Sequence, residues 1–384
     1  MISSGINLKN FKLKKKSHYL RKKLKDIIEG NDSVLQSLRN SYKDYFNKNK
    51  LKKYKTFKNI RIIGMGGSSL GTQAVYDFFK DKINKNFSFL NNLNSKEKNR
   101  NNQNFLNLIV SKSGNTIETI INSNIYIKKK DKNIFITENK RSYLYLLAQK
   151  VKSEIIHHNN FIGGRYSVLS EVGMLPAELM GLNPKKFRQL NHLVKNKKFL
   201  NAIISSVNST LHYIKKKKFN SVIINYDPKS ENLFSWYQQL VAESLGKNNK
   251  GLLPIVSNMP KDNHSVMQLY LDGFKNNFFT FFYVHEKNSS KIINKSLLNS
   301  HNFIKNRNIQ EVIYAQKTAT ENIFKKKNLP FRSFEIKRRD EKTLGELFCF
   351  FILETILIGK ALKIDPYNQP AVESIKKETK KILI

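Results

Sequence analysis

The chain has 384 residues, 40% of them apolar, which is enough for two domains of ordinary size around a large buried core. Its single cysteine, Cys349, excludes an intrachain disulfide and a cysteine–histidine metal cluster. The formal net charge of +40 leaves three explanations, which are nucleic-acid binding, steering of an anionic small molecule, or a solvated lysine surface. We favour the solvated surface and expect no specific nucleic-acid partner, because the lysines lie in short scattered runs without a repeated aromatic partner.

The N-terminal part of the chain, residues 1–50, is predicted to be a basic helical segment. Residues 8–50 carry a partial apolar stripe at helical spacing, formed by Leu20, Leu24, Ile27 and Ile28. Residues 1–10 contain no apolar core of signal-peptide length. Because a single cysteine also fits a reducing compartment, we expect a cytoplasmic protein.

The next part, residues 51–185, alternates predicted strands with predicted helices. The strands are predicted at 59–63, 105–110 and 133–137, and the helices at 70–79, 116–128 and 142–150. Residues 80–104 are rich in Lys and Asn and are predicted to be a variable loop. Strands that alternate with helices indicate βαβ units and a parallel sheet.

The pattern restarts in residues 186–384, after a mostly helical stretch at 170–217. Strands are predicted at 221–226, 252–257, 278–284 and 334–337, and helices at 233–245 and 343–362. The most apolar segment, 347–358, is too short for a membrane span, which needs about 20 apolar residues, so we expect a buried helix and no membrane partner. The chain is therefore predicted to be an α/β protein with a second α/β domain and a C-terminal helical tail.

A glycine- and serine-rich loop follows the first predicted strand, with the sequence Gly64-Met65-Gly66-Gly67-Ser68-Ser69. Backbone N–H groups and the positive helix end meet at such a point and favour an anion. Two better-known loops do not fit, since the lysine of a P-loop is absent and Ser69 stands where a dinucleotide fingerprint needs glycine. An ordinary turn with serine caps is the alternative.

A hydroxyl-rich loop follows the second predicted strand and begins Ser111-Lys112-Ser113-Gly114-Asn115-Thr116. Thr116 and Thr119 lie one turn apart and share a helix face. Hydroxyls and N–H groups at a helix start suit a phosphate monoester, whereas a cap needs only one or two of them.

A third loop, Gly163-Gly164-Arg165-Tyr166-Ser167, carries an arginine between glycines and a tyrosine. A guanidinium in this position can be aimed at an anion and cannot lose its charge, although an arginine in a surface loop is the alternative. The three loops together indicate a pocket for a small phosphorylated molecule.

The order of these three loops resembles that of the glucose-6-phosphate isomerase (phosphoglucose isomerase) family. Further similar segments are Gln239 to Lys247, Asp262 to Ser265, and Asn368 to Lys376, so the resemblance covers about residues 60 to 377. It implies two SIS-type domains, each a mostly parallel sheet flanked by helices. It also implies a homodimer that interconverts glucose 6-phosphate and fructose 6-phosphate in glycolysis and gluconeogenesis, through ring opening and a cis-enediol(ate), without metal or cofactor.

The resemblance also assigns roles to residues of this chain. Glu243 falls on the catalytic base and Arg165 on the charge-stabilising arginine. His264 and Lys376 fall on the two ring-opening residues, and the resemblance implies that His264 acts in the partner subunit's site. The substrate-binding positions are Gly67, Ser68, Ser111, Lys112, Ser113, Thr116, Thr119, Gly164, Gln239 and Gln369.

Three positions depart from the family pattern, with Asn115 where threonine is common, Asn368 for aspartate and Ala371 for glycine. The Ser-Gly-Asn-Thr run also occurs in bifunctional phosphoglucose/phosphomannose isomerases, which keeps that activity as an alternative. Two further alternatives for the function are a non-catalytic sugar-phosphate-binding module and a nucleic-acid binder. The first would retain the glycine and hydroxyl loops but lack the downstream acid–base residues, and the second would bind RNA or DNA in a salt-dependent way.

Overall fold

A computed structural model describes residues 1–13, 17–30, 32–94, 104–128, 130–286, 288–292 and 298–384. The strands are β1 (Ile6–Lys9), β2 (Asn59–Ile63), β3 (Asn86–Leu90), β4 (Leu106–Val110), β5 (Lys132–Thr137), β6 (Glu154–His157), β7 (Asn220–Asn225), β8 (Leu253–Asn258), β9 (Asn277–Val284) and β10 (Phe331–Ile336). The helices of the first half are α1 (His18–Glu29), α2 (Ser33–Ser37), α3 (Lys48–Leu51), α4 (Leu70–Phe78), α5 (Ile117–Tyr126), α6 (Tyr143–Lys150) and α7 (Glu171–Leu179). Those of the second half are α8 (Pro184–Phe187), α9 (Leu190–Leu193), α10 (Lys197–Lys215), α11 (Glu231–Leu245), α12 (Met267–Asp272), α13 (Ile309–Lys326), α14 (Glu341–Ala361) and α15 (Pro370–Leu383).

The first sheet has the strand order β3-β2-β4-β5-β6, and all its neighbouring strands are parallel. Every residue of β4 is buried, as expected for a strand covered by helices on both faces. The chain leaves β2 for β3 on one side and returns to β4 on the other. The carboxyl ends of β2 and β4 therefore flank a topological switch point, the place where open α/β sheets bind ligands.

The second sheet has the order β1-β10-β9-β7-β8 and repeats the same arrangement. Strands β7 to β10 pair in parallel, with a switch point between β7 and β9, while β1 joins β10 antiparallel. The N-terminal strand therefore belongs to the second sheet, although it precedes the first sheet in the chain.

Helix α14 forms the centre of the core. It is buried from Thr343 to Gly359 and contacts α1, α8, α10 and α11. The buried ion pair between Arg332 of β10 and Glu354 of α14 joins this helix to the second sheet. Helix α11 also packs against α4 of the first half, and this contact brings the two halves of the candidate site together.

The predicted α/β class with mostly parallel sheets is confirmed, and five elements differ from the prediction. Strand β1 lies inside the segment predicted to be helical, and β3 lies inside the predicted variable loop. Strand β6 and helices α12 and α13 were not predicted at all. Strands β1, β3 and β6 are short edge strands whose pairing comes from a neighbouring strand rather than from a strong local apolar pattern.

Some of the predicted organisation lies outside what the structure describes. Residues 14–16 and 31 of the predicted helical segment, and 95–103 of the predicted loop, are outside the described residues. The domain boundary at residue 185 stays a prediction, and apart from β1 the two sheets lie on either side of it. None of the helices in the described ranges combines the length and apolar character that a bilayer crossing requires.

Candidate active site

The first and third predicted loops pack directly against each other at the switch point of the first sheet. Loop 64–69 follows β2, and Gly67 in it faces the 3-10 turn Gly164–Leu169. A Cβ atom at Gly67 would lie 2.1 Å from the carbonyl carbon of Gly164, so no side chain fits there. The glycine is therefore required by this close approach of two backbones.

The second loop follows β4 and leads into α5 at the same edge. The hydroxyls of Ser111 and Thr116 lie 2.9 Å apart, and Ser113 Oγ accepts a hydrogen bond from the N–H of Asn115. Gly114 has a φ of +66°, which favours glycine at this turn. Thr116 occupies the N-cap position of α5, but its hydroxyl makes no capping hydrogen bond. The hydroxyls are thus not consumed by capping, and the first N–H groups of α5 have no acceptor within the helix.

Two buried polar atoms close to the first and second loops have no hydrogen-bond partner within the described part of the chain. They are Thr119 Oγ1, in the first turn of α5, and Gln239 Oε1, on α11. Buried polar atoms in native proteins are almost always hydrogen-bonded, so such atoms call for a further ligand or water. Lys112, also in the second loop, lies 3.9 Å from Glu138, and burial lowers the pKa of its ammonium while Glu138 opposes that change.

Arg165 is 2% exposed, so it is not an arginine on a surface loop. Its guanidinium donates to five acceptors, which are Ser244 Oγ (2.9 Å), Glu243 Oε2 (3.1 Å), Gln369 Oε1 (2.7 Å) and the carbonyls of Pro366 (2.7 Å) and Asn368 (3.2 Å). A guanidinium has five N–H donors in a rigid plane, and this arrangement uses all of them. The positive charge is therefore held in one orientation.

Glu243 lies on α11 beside this guanidinium. Its Oε2 accepts a hydrogen bond from Arg165 Nη1, and its Oε1 accepts one from Gln239 Nε2 at 2.8 Å. The side chain is 31% exposed, in contrast to its arginine partner. One carboxylate is therefore fixed at both oxygens and still open to a small molecule, next to a permanent positive charge.

Three residues that the sequence analysis did not single out fix the arginine loop. Trp236 Nε1 donates to the carbonyl of Arg165 at 3.0 Å. The Tyr166 hydroxyl donates to the Pro366 carbonyl (2.9 Å) and lies 2.8 Å from the hydroxyl of Ser244, and burial raises the pKa of Tyr166. Tyr166 and Ser244 each follow a predicted catalytic residue directly in the chain, which is the signal that could have found them.

Two of the predicted catalytic residues are not joined to this cluster within one subunit. His264 ends the 3-10 turn Lys261–His264 after β8 and is exposed. The Lys376 side chain is 65% exposed, and its Nζ bonds Glu373 at 2.7 Å on α15. Among the described contacts, neither residue hydrogen-bonds to Arg165 or Glu243.

The departures from the expected pattern do not remove any of these contacts. Asn368 contacts the guanidinium through its backbone carbonyl, which an aspartate would supply equally. Asn115 accepts a hydrogen bond from the N–H of Tyr143 at the start of α6 and so ties the second loop to the next helix. Over the described ranges, no group of three or more His, Cys, Asp and Glu side chains is placed to hold a metal ion.

Comparison with known proteins places this arrangement in a family. The sequence profile described as phosphoglucose isomerase matches residues 13–384. A glucose-6-phosphate isomerase of Methanocaldococcus jannaschii is 30% identical over 377 residues, which cover 92% of this chain and 92% of that protein. A hypothetical protein of Thermus thermophilus has the same fold, with a TM-score of 0.82 at 20% identity, covering 95% of this chain and 94% of the other. A glucose-6-phosphate isomerase of Chlamydia trachomatis also shares it, with a TM-score of 0.73 at 16% identity, covering 95% of this chain and 83% of the other. The resemblance is confirmed, and the chain belongs to the phosphoglucose isomerase family.

Proposed function

We propose that this protein catalyses the reversible isomerisation of glucose 6-phosphate and fructose 6-phosphate through a cis-enediol(ate). The observation that carries the proposal is the pair formed by Glu243 and the buried Arg165 at the carboxyl edge of the first sheet. Aldose–ketose isomerisation needs a base that moves a proton between neighbouring carbons and a fixed positive charge for the anion formed. These two side chains have the chemistry for both tasks.

The phosphate group is proposed to bind the second loop and the start of α5. Its oxygens would accept hydrogen bonds from the hydroxyls of Ser111, Ser113, Thr116 and Thr119 and from the unpaired N–H groups of the helix, with Lys112 adding charge. The buried Thr119 hydroxyl supports this assignment, because it has no partner among the described residues in the free protein. The sugar would then lie across Gly67, Ser68 and Gly164, toward Gln239 and Gln369.

In the chemical step, Glu243 takes the proton from C2 of the open-chain aldose and later returns it to C1. The electron pair released at C2 forms the C1–C2 double bond, and the carbonyl electron pair moves onto O1, which carries the negative charge of the enediolate. The hydroxyl proton of O2 passes to O1, so that C2 becomes the carbonyl carbon of the ketose as C1 receives its proton. Arg165 lies beside the carboxylate and stabilises the negative charge of the enediolate. Gln239 and Arg165 hold the two carboxylate oxygens, which fixes the base in one orientation without blocking its exposed side.

Ring opening is assigned to His264 and Lys376, and we propose that a homodimer brings this histidine into the partner subunit's site. The exposure of His264 supports this, since a proton shuttle must reach the substrate. Helix α15, which carries Lys376, has no buried residue and exposes apolar side chains such as Ile375 (67%). A second copy covering this helix would account for its apolar face.

Complementation tests the proposed sharing of sites. The Glu243→Gln and His264→Gln variants, each inactive alone, are mixed under conditions that allow subunit exchange. If the histidine acts across the dimer, each heterodimer has one intact site, and activity recovers to about a quarter of the wild-type value. If both residues serve the same subunit, every site retains one defect and activity stays at background.

The reaction itself is tested with fructose 6-phosphate in deuterated water, followed by NMR of the product. Deuterium at C2 of glucose 6-phosphate is the expected result, because the carboxylate exchanges its proton with solvent. Mannose 6-phosphate in the same spectrum would indicate the bifunctional activity. Binding without any deuterium incorporation would contradict the proposal and favour a non-catalytic sugar-phosphate protein. A cytoplasmic location stays a prediction.

A further inference from the structure

The carboxyl edge of the second sheet contains a cavity that the proposed function does not use. Its volume is about 450 Å³, which is in the range of small-ligand sites. The cavity is lined by residues that directly follow β9 and β10 and by the end of α4, including Lys82, His285, Glu286, Lys337, Arg338 and Arg339. It therefore lies between the two halves of the chain.

The two sheets share one topology, so their carboxyl edges can be compared strand by strand. In the first sheet the candidate sugar-phosphate loops follow the strands that flank the switch point, β2 and β4. The corresponding strands of the second sheet are β7 and β9. There Arg339 crosses the switch point and donates to Asp227 after β7 (2.8 Å) and to Glu286 after β9 (2.6 Å). The cavity is adjacent, toward β10.

The acidic side chains that line the cavity already have partners. Glu286 pairs with Arg339 and Asp81 with Lys229. Asp340 accepts a hydrogen bond from the N–H of Thr343 and caps α14. Asp340 keeps its full negative charge, because a backbone N–H carries none, so the lining has four Lys and Arg side chains against three carboxylates.

The basic side chains are less well compensated. Lys337 lies 3.8 Å from Glu335, a carboxylate that is also 2.6 Å from Lys317 and 3.7 Å from Lys9. Arg338 is exposed and makes no hydrogen bond or ion pair within the described ranges. Lys82 Nζ donates to a backbone carbonyl at 2.9 Å, which carries no full charge. The cavity thus has a local excess of positive charge.

We propose that this cavity is a second anion site, which binds the phosphate group of a small phosphorylated metabolite through Lys82, Lys337 and Arg338. The guanidinium of Arg338 can bind two phosphate oxygens at once, and the two lysines add point charges. The site is independent of the proposed isomerase function, because no residue of the candidate active site lines it.

His285 provides a probe inside the cavity. Its Nε2 lies 3.0 Å from Lys337 Nζ, and its ring packs edge-on against Tyr283. The pKa of His285 is lowered, first by burial and then by the positive charges of Lys337 and Lys317. The nearby carboxylate of Glu335 opposes this change. An anion bound beside these lysines favours the imidazolium, so binding raises the pKa of His285.

The test follows the titration of His285 in the full-length protein by NMR, with the His285→Gln variant assigning the signal. Inorganic phosphate is the probe, and sodium chloride at equal ionic strength controls for screening. We expect phosphate, but not chloride, to raise the pKa of His285. No change in phosphate, or an equal change in both salts, overturns the proposal.

A double substitution locates the binding groups. The test variant combines Lys337→Gln and Arg338→Gln. The control variant combines Lys380→Gln and Lys381→Gln on α15 and changes the net charge by the same amount. We expect the first pair to weaken phosphate binding at His285 at least about tenfold, which corresponds to the loss of one charge-assisted hydrogen bond. Isomerase activity should stay unchanged. An equal effect of both pairs would mean nonspecific charge attraction and refute the site. Because the titration is measured on the wild-type protein and the His285→Gln variant serves only to assign its signal, misfolding of the double variant would not leave the proposal undecided.

Discussion

Replacing Arg165 with lysine separates the value of a positive charge from the value of its orientation. The guanidinium of Arg165 donates to five acceptors, whereas an ammonium has three donors on a shorter reach. The Arg165→Lys variant keeps the charge but cannot hold it at the same point beside Glu243. We therefore expect a large loss in the chemical step.

The magnitude follows from the role proposed for the arginine. Arg165 is proposed to act through its fixed positive charge, because its N–H groups already have acceptors in the free protein. The nearest measured case is the loss of one preorganised oxyanion donor, which typically lowers kcat by about 10²–10³, or about 2.7–4 kcal/mol. Because the phosphate group is proposed to bind the second loop and not Arg165, KM should change little. The effect should thus appear in kcat, as expected for an interaction made mainly in the transition state.

The same substitution has a smaller structural effect. Tyr166 still donates to the Pro366 carbonyl and contacts Ser244, so these two groups keep a partner. The Asn368 carbonyl loses the only partner it has among the described contacts, at a cost of about 1–3 kcal/mol if water does not replace it. The unfolding free energy should fall by an amount in this range.

The assay measures steady-state kinetics in both directions, together with urea unfolding of the same samples. Arg141→Lys, at an exposed arginine, is the matched control and should leave kcat, KM and unfolding unchanged. A kcat within twofold of the wild-type value for Arg165→Lys would refute the proposal that the fixed guanidinium stabilises the enediolate.

Three other predictions concern single residues. The Glu243→Gln variant should lose about 10²–10⁴-fold in kcat, the range for a missing general base, while still binding sugar phosphate in a calorimetric titration. The Thr119→Val variant should raise KM about tenfold, because it loses one hydrogen bond to a charged phosphate. Its unfolding free energy should stay unchanged, since the substitution removes a buried hydroxyl without a described partner. His158 is buried, and burial together with the charge of Lys112 lowers its pKa to about 4, although its bond to the backbone of Asn159 opposes the change. This neutral histidine contributes stability above the unfolded-state pKa of about 6.5 that is lost as the pH falls toward 4, so the unfolding free energy should drop by roughly 3 kcal/mol over that window.

Each of these predictions has a result that would contradict it. Normal turnover by Glu243→Gln would remove the base assignment. Ser209→Ala removes another buried hydroxyl without a described partner, on α10, and should not change KM; an equal KM effect in both variants would remove Thr119 from the phosphate site. The His158→Gln variant should have a flatter stability profile between pH 6.5 and 4, and a profile as steep as that of the wild type would assign the acid sensitivity to other groups.

The sequence by itself determined the class of the fold and the position of the three loops. Apolar runs such as β4 end at Gly or Ser and are followed by helical patterns, and this local punctuation is sufficient to predict parallel strands with loops at one edge. The predicted strand at 59–63 agrees with β2 to the residue. The edge strands β1, β3 and β6 were not predicted, because each is short and its pairing comes from a neighbouring strand rather than from a strong local apolar pattern.

Only the tertiary structure decided what surrounds Arg165. Its partners Ser244 and Gln369 lie 79 and 204 residues away in the chain, so no local pattern could show that its guanidinium is buried and fully hydrogen-bonded. The packing of α11 against α4 brings these distant segments to one edge of the first sheet. Motifs encode which chemical groups are present, because they are local, whereas orientation and burial arise from long-range packing and must be read from the folded chain.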